Sequence, residues 1–159
     1  MTEPLSIVET WADEAACAAR AARWARCPVL ADATLALEGE LGAGKTTFVR
    51  HLLQALGITG RIKSPTYAVM EPYTVSAGRW QGLAVAHFDF YRFADPREWE
   101  DAGLRDVFAA PGLKVCEWTS RLGDRAPLAT ASLDIAIEPD GTRRVHITAH
   151  TPGARELLA

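Results

Sequence analysis

The chain has 159 residues, of which 48% are hydrophobic and 23% are charged, and its formal net charge is −3. This composition excludes a disordered chain and predicts a single globular domain over residues 1–159. The small negative charge argues against bulk electrostatic binding to nucleic acid or to an anionic membrane, so any such contact requires a local basic patch.

Hydropathy and cysteine content predict a cytoplasmic protein. No apolar run reaches the roughly 18 residues that a transmembrane helix needs. The first residues lack the basic and apolar segments of a secretory signal. The three cysteines cannot all pair with one another and do not have zinc-site spacing, which indicates reduced thiols.

The first half of the chain predicts two helices separated by a strand and a glycine-rich turn. Thr10 and Asp13 have capping-box spacing before an alanine-rich run. Gly57 is typical of the residue that ends a helix. The predicted elements are a helix over 10–26, a strand over 30–38, a turn over 39–44 and a helix over Lys45–Leu56.

The second half predicts mainly strands. Pro96 suits the start of a short helix, and Pro139-Asp140-Gly141 suits a turn between two alternating segments. The predicted elements are strands over 68–75, 83–88 and 113–118, a helix over 96–103, and a hairpin with strands over 133–137 and 144–148. This order predicts a three-layer α/β fold with a largely parallel, mixed sheet and a C-terminal antiparallel hairpin.

Residues 39–46 read GELGAGKT and match G-x-x-x-x-G-K-[ST] at every fixed position, after a predicted strand and at the start of a helix. Glycines let backbone N–H groups surround phosphate oxygens, and the helix start adds unpaired donors. We expect Lys45 on the β- and γ-phosphates and Thr46 on Mg²⁺. The motif predicts a P-loop NTPase, against the alternative of a glycine-rich turn that binds nothing. The nucleotide-binding residues predicted here are Glu40, Leu41, Gly42, Ala43, Gly44, Lys45, Thr46 and Thr47.

Two predicted strands end in an acidic residue. The apolar segment 83–88 leads into Asp89, which is the Walker-B arrangement for a metal-binding carboxylate. The segment 113–116 leads into Glu117, which could orient or deprotonate an attacking water or reach the metal. The alternatives are an aspartate that only forms a turn and a surface glutamate, and for Glu117 the pattern alone does not decide.

Thr66 lies between the P-loop helix and the strand that ends at Asp89, in the sequence Lys63-Ser64-Pro65-Thr66. In P-loop switch proteins, a threonine in this interval senses the γ-phosphate and Mg²⁺. The alternative is a proline-stiffened loop with a serine or threonine turn.

Taken together, these motifs resemble those of the bacterial TsaE family. The resemblance rests on GELGAGKTTF at 39–48, SPTY at 64–67, EPY at 71–73, HFDFYR at 87–92 and EW at 117–118, in that order. It implies a small P-loop ATPase that binds ATP and Mg²⁺, hydrolyses ATP slowly and supports threonylcarbamoyladenosine formation in tRNA. It also implies action with the TsaB–TsaD complex, with tRNA contacted only indirectly or through a local patch and with no membrane contact.

The resemblance also implies roles for individual residues. Thr66 lies in the switch-like segment, and Glu14 corresponds to a position near the nucleotide. The catalytic residues implied are Lys45, Asp89 and Glu117, and the Mg²⁺ ligands are Thr46, Asp89 and Glu117. The family usually has proline where this chain has Thr119, so we expect a less restrained loop after Glu117.

Several other residues have more than one interpretation. Arg20, Arg23 and Arg26 predict a solvated helix face, with a patch for tRNA or an acidic partner as the alternative. His87 is expected to be packed and hydrogen-bonded rather than catalytic. Trp118, beside Glu117, is expected either to form a lid or contact aromatic or to pack in the core. The arginines that could reach a phosphate are Arg92, Arg143 and Arg144.

Two other functions fit the P-loop. A small-molecule kinase would need an acceptor pocket and usually an arginine-rich lid, and a nucleotide-dependent binding module would hydrolyse ATP only incidentally. A GTPase is disfavoured because the chain contains no asparagine and therefore lacks the Asn-Lys-x-Asp motif that recognises guanine.

Overall fold

Seven strands of the described residues form one sheet in the order β1-β7-β6-β2-β5-β4-β3. The structure is a computed structural model, and it describes residues 5–63, 65, 68–95, 97–98 and 103–159. The strands are β1 Leu5–Trp11, β2 Thr34–Glu38, β3 Met70–Thr74, β4 Ala84–Asp89, β5 Leu113–Glu117, β6 Ala131–Ile137 and β7 Arg143–Ala149. The helices are α1 Glu14–Trp24, α2 Lys45–Leu56 and α3 Leu104–Ala109, with 3₁₀ segments over Pro28–Asp32, Thr119–Arg125 and Pro152–Leu158.

The four central strands β6, β2, β5 and β4 run parallel, and the outer strands pair antiparallel. Parallel neighbours require crossover connections, and α2 lies in the connection from β2 to its parallel neighbour β5, which also contains β3, β4 and α3. The predicted mixed α/β sheet is therefore confirmed. The predicted C-terminal hairpin is also present, because β6 and β7 pair antiparallel from Ala131 opposite Ala149 to Ile137 opposite Arg143.

Helices and 3₁₀ segments cover the two faces of the sheet differently. On one face α1 and α2 pack against the strands, and Phe48 lies between Trp11 and Trp24 with ring centroids 5.8 and 5.2 Å away. On the other face, α3 and the segment Thr119–Arg125 cover the β4–β5 region, around Phe88 and neighbouring aromatic residues. The two layers and the sheet between them make the predicted three-layer arrangement. No helix of the described residues is long and apolar enough to cross a membrane.

The described chain begins with a strand, not with the predicted helix. β1 pairs along its whole length with β7, and Trp11 at its end is buried. α1 starts only at Glu14, where Asp13 is the N-cap and accepts a hydrogen bond of 3.0 Å from the Ala16 N–H. The predicted capping box at Thr10 is wrong, because Thr10 belongs to the strand and Asp13 provides the cap.

The other predicted elements are recovered with different accuracy. α2 has both predicted ends, because the glycines at its two ends adopt the left-handed conformation. The predicted strand over 30–38 begins only at Thr34, since Pro28–Asp32 forms a 3₁₀ segment. The helix predicted over 96–103 lies mostly outside the described residues, and α3, which follows it, was not predicted.

The predicted solvated arginine face on α1 is wrong for Arg20. This side chain is 3% exposed, forms an ion pair with Glu9 and donates 2.8 Å to the Ala159 carbonyl. Burial opposes ionisation of Glu9, but hydrogen bonds from Arg20 and Trp11 outweigh it and lower the pKa of Glu9. Arg20 therefore joins the first strand to the end of the described chain.

We predict that Arg20→Ala lowers the free energy of unfolding by about 3 kcal/mol, because it leaves a partly buried carboxylate and a carbonyl without their donor. Urea denaturation measures this loss. Arg23, which is exposed on the same helix, is the matched control, and Arg23→Ala should cost less than about 0.5 kcal/mol. Equal losses in the two variants would contradict a structural role for Arg20.

Candidate nucleotide-binding and hydrolysis site

The loop over residues 39–44 connects β2 to α2, and its three glycines all have positive φ angles. Gly39 has φ +152°, and a Cβ there would lie 2.5 Å from the Ile135 carbonyl oxygen. Gly42 and Gly44 have φ +80° and +116°, and a Cβ at either would meet no atom within 4 Å. The loop thus packs tightly against β6 at its start and faces open space at the positions where a phosphate binds in P-loops.

Lys45, the first residue of α2, is 5% exposed and turns back over the loop. Its Nζ donates to the Gly39 carbonyl and, at 3.0 Å, to the Glu40 carbonyl. The ring centroid of Trp118 lies 4.3 Å from the same Nζ. Burial lowers the pKa of Lys45, and nearby carboxylates, with Glu117 the strongest, partly offset this effect.

Glu117 lies in the site and not on the surface. It is 2% exposed at the end of β5, the strand next to β2. Its Oε1 accepts a 2.9 Å hydrogen bond from the Thr46 hydroxyl, and its Oε2 lies 2.6 Å from His87 Nε2. The carboxylate therefore connects the first turn of α2 to two strands of the sheet, and the surface interpretation is wrong.

Asp89 lies directly beside Glu117 in the parallel register of β4 and β5. It is 6% exposed, and its Oδ1 accepts a 2.9 Å hydrogen bond from the Tyr91 N–H. A cleft of about 260 Å³ is lined by Lys45, Thr46, Asp89, Glu117 and Trp118, together with Leu41 and Tyr91. The structure thus brings all four residues predicted to act in hydrolysis or metal binding to one cleft.

The described residues contain no group of three or more His, Cys, Asp or Glu that could hold a metal ion by itself. The oxygen donors in the cleft are the Thr46 hydroxyl and the two carboxylates of Asp89 and Glu117. Such a set suits a small, hard cation that also takes ligands from phosphate and water, as Mg²⁺ does.

A second cleft, of about 390 Å³, lies on the other side of the P-loop and shares Gly42, Gly44 and Thr47 with the first. Glu14 is on its wall and pairs with Arg50 at 3.1 Å and His51 at 3.0 Å. These hydrogen bonds, the one from His51 foremost, lower the pKa of Glu14. The predicted position of Glu14 near a nucleotide is compatible with this cleft.

Arg143 is the candidate arginine that contacts the P-loop. Its Nε donates 2.9 Å to the Ala43 carbonyl, and the residue lines the second cleft. Arg144, the next residue of β7, is exposed and lines neither of these two clefts, but it lines a third cleft that includes Glu38 and Gly39. Arg92 is also exposed. The sequence did not distinguish the three because the distinction depends on how the hairpin packs against the loop.

Glu38, which the sequence analysis did not single out, holds the loop that follows Glu117. It accepts hydrogen bonds from the Thr119 hydroxyl, the Ser120 N–H at 3.0 Å and the Ser120 hydroxyl at 3.1 Å. Trp118, which lies between Glu117 and Thr119, has φ +62°, a left-handed conformation that is unusual for this residue type. Hydrogen bonds to Glu38 therefore restrain the loop in which the expected proline is replaced by Thr119.

Thr66, the predicted switch residue, lies outside the described residues together with Ser64 and Tyr67. Its proposed contact with the γ-phosphate and Mg²⁺ stays a prediction.

Comparison with known proteins decides the family. Residues 11–146 match the family model described as "Threonylcarbamoyl adenosine biosynthesis protein TsaE". The chain belongs to the TsaE family. This confirms the resemblance on which the residue assignments were based.

Curated TsaE proteins and a solved structure agree with this membership. The chain is 37% identical to a tRNA threonylcarbamoyladenosine biosynthesis protein TsaE of Haemophilus influenzae, over 77% of this chain and 74% of that one. It is 36% identical to the Bacillus subtilis protein of the same name, over 72% and 68% of the two chains. The crystal structure of Bacillus subtilis YdiB superimposes with a TM-score of 0.77 and 26% identity, covering 99% of this chain and 94% of YdiB.

In this TsaE-family chain, we predict that Glu38→Ala loosens the loop at Trp118. The loss of three hydrogen bonds to a carboxylate should lower the free energy of unfolding by about 1–2 kcal/mol. It should also accelerate hydrogen exchange at the Ser120 amide, measured by mass spectrometry or NMR. Glu40→Ala, which removes an exposed acid of the P-loop, is the control and should change neither quantity. Unchanged exchange in Glu38→Ala would show that Glu38 does not hold this loop.

Proposed function

We propose that the protein is a Mg²⁺-dependent ATPase that supports threonylcarbamoyladenosine modification of tRNA, together with the TsaB–TsaD complex, in the cytoplasm. Family membership and the names of the relatives support a role in this pathway. The bond between Thr46 and Glu117, beside Lys45 and Asp89, is the observation that best supports ATP hydrolysis.

The shape and donors of the P-loop support a nucleoside triphosphate. Open space in front of Gly42 and Gly44 leaves room for phosphate oxygens, and the first turn of α2 provides N–H donors. The two clefts that meet at Thr47 suit a ligand with a phosphate part and a nucleoside part. In this proposal the phosphates lie beside Lys45 and the nucleoside lies near Glu14 and Arg143.

The donors in the phosphate cleft support Mg²⁺ as the metal. Thr46, Asp89 and Glu117 would hold it through hard oxygen atoms, with phosphate oxygens as further ligands. When bound, Mg²⁺ neutralises negative charge on the β- and γ-phosphates.

The side chains of the site have separate tasks in hydrolysis. Lys45 and the loop amides stabilise the charge that develops on the γ-phosphate as water attacks in line. The Thr46 hydroxyl donates a hydrogen bond to Glu117. The lone pairs of the Thr46 oxygen therefore remain available to the metal. Glu117 and Asp89 are register partners on neighbouring strands and line one cleft, where in this proposal they bind the metal and orient the attacking water. Trp118 covers Lys45 and limits its contact with solvent.

We predict that Lys45→Ala abolishes ATP binding and hydrolysis, because it removes the positive charge that the triphosphate needs. Binding is measured by calorimetry and hydrolysis by phosphate release, with EDTA expected to stop hydrolysis in the wild type. Arg155→Ala is the control, since this arginine is exposed, lies in the segment Pro152–Leu158 and lines neither cleft. Addition of purified TsaB–TsaD should raise the rate of the wild type and of Arg155→Ala but not that of Lys45→Ala.

Three results would contradict the proposal in different ways. Normal ATP turnover by Lys45→Ala would exclude the P-loop from the reaction. Transfer of phosphate to a small molecule faster than to water would indicate a kinase. Tight ATP binding with no hydrolysis, alone or with TsaB–TsaD, would indicate a nucleotide-dependent binding module.

A further inference from the structure

His87 is a buried polar residue that the mechanism above does not use. It lies on β4, is 0% exposed, and its Nε2 is 2.6 Å from Glu117 Oε2. Its Nδ1 is also buried and has no hydrogen-bond partner among the described residues. A wholly buried imidazole with one bonded and one unbonded nitrogen calls for a physical reason.

The geometry restricts where the imidazole proton lies. A short contact between Nε2 and a carboxylate oxygen requires a proton between the two atoms. A proton on Nδ1 instead, or on both nitrogens, would leave a buried N–H donor unpaired, and an unpaired donor of this kind is rare in proteins. The neutral ring with Nε2–H leaves only an acceptor unpaired and donates to the ionised carboxylate of Glu117.

We propose that His87 is a positioning residue that fixes the Glu117 carboxylate for the metal site, an inference that rests on the proposed function. Each oxygen of Glu117 then accepts one hydrogen bond, Oε2 from the His87 N–H and Oε1 from the Thr46 O–H, and keeps a second lone pair for the metal. This pair of bonds sets the plane of the carboxylate. It also sets the direction of the Thr46 hydroxyl, whose proton points to Glu117 and whose lone pairs face the cleft.

Packing alone does not account for a histidine at this position. The neighbouring residues on its paired strand β5 include Val115, which is fully buried, so an aromatic hydrocarbon side chain would suit the surroundings. Burying a polar pair costs solvation that an apolar pair would not lose. Proteins commonly keep such a buried polar pair, despite this cost, where one residue orients a metal-binding carboxylate through a hydrogen bond. Alternation along β4 places His87 on the same face as Asp89, so one strand supplies a metal-binding acid and the residue that orients the other acid.

The hydrogen bond itself is tested by NMR of the protein without nucleotide. Long-range ¹H–¹⁵N spectra of the imidazole rings report which nitrogen carries the proton, and the His87→Gln spectrum assigns the signal of His87. We expect the Nε2–H form in the wild type and a clear change of the His87 signal in Glu117→Ala. A ring protonated on Nδ1 alone, or a signal that Glu117→Ala does not alter, would overturn the proposal.

The positioning role is tested by the Mg²⁺ dependence of ADP binding and by ATP hydrolysis. His87→Phe should raise the Mg²⁺ concentration that gives half of the maximal increase in ADP affinity by about 10-fold or more. It should also lower kcat for ATP hydrolysis by about 10–100-fold, with KM for ATP nearly unchanged. Affinity for ADP without Mg²⁺ should remain, because the P-loop is intact. His87→Gln, whose amide N–H can reach Glu117, should recover values within about 3-fold of the wild type.

His150→Phe is the matched control, since His150 is exposed, follows β7 and lines none of the clefts that include a P-loop residue. Wild-type Mg²⁺ dependence and kcat in His87→Phe would overturn the positioning role, even if its melting temperature fell. If His87→Phe does not fold, loss of the Mg²⁺ response in His87→Gln would likewise overturn the positioning role. A wild-type protein that binds no nucleotide would contradict the proposed function and, with it, the positioning role of His87. The NMR result would still decide whether the hydrogen bond between His87 and Glu117 exists.

Discussion

The arrangement of the candidate site depends on the buried carboxylate of Glu117. The strand order places β5 directly beside β2, so the end of β5 meets the start of α2. Glu117 uses this position to bond the Thr46 hydroxyl on one side and His87 of β4 on the other. One side chain thus fixes the distance between the P-loop helix and the two strands that supply the acids. A P-loop without this connection would still have its backbone shape but would lack a fixed carboxylate beside Thr46.

In the proposed function, Lys45 is the cation that the phosphates of a nucleotide would contact. Lys45 is buried and bonds two carbonyls of its own loop; burial lowers its pKa, and the carboxylates around it partly offset this effect. Carbonyls are weaker partners for an ammonium group than phosphate oxygens, so a triphosphate would replace them with little reorganisation. Glu38 contributes in a different way, because it holds the loop that keeps Trp118 over Lys45. The electrostatics and the loop geometry therefore act on the same lysine.

Local sequence signals predicted the parts of the site that are local in structure. The ends of α2 are encoded by glycines that adjoin it, and Asp89 and Glu117 each follow an apolar run that forms a strand. The signals failed where the outcome depended on distant residues. Arg20 looks like one of three exposed arginines, but it is buried by contacts with the chain 137 residues further on. Thr119 looks like the loss of a restraint, but its partner Glu38 is 81 residues away.

The first strand and His87 illustrate a second limit of prediction from local sequence, because both depend on how strands pair. Leu5–Trp11 forms a strand because β7 offers it an edge, and no feature of residues 10–13 alone separates a capping box from the end of a strand. The role of His87 had one available signal, its two-residue spacing from Asp89 on the same strand. The contact with Glu117 follows only when the parallel register of β4 and β5 is known.

A crystal structure of the protein with Mg²⁺ and a non-hydrolysable ATP analogue would show whether Glu117 organises a nucleotide and metal site. We expect the phosphates in the cleft between Lys45 and Asp89, and the metal on the Thr46 hydroxyl oxygen, with Glu117 bound directly or through one water. Glu117 should still contact His87. A nucleotide bound outside the P-loop, or a metal held without Thr46 and Glu117, would exclude this role of Glu117.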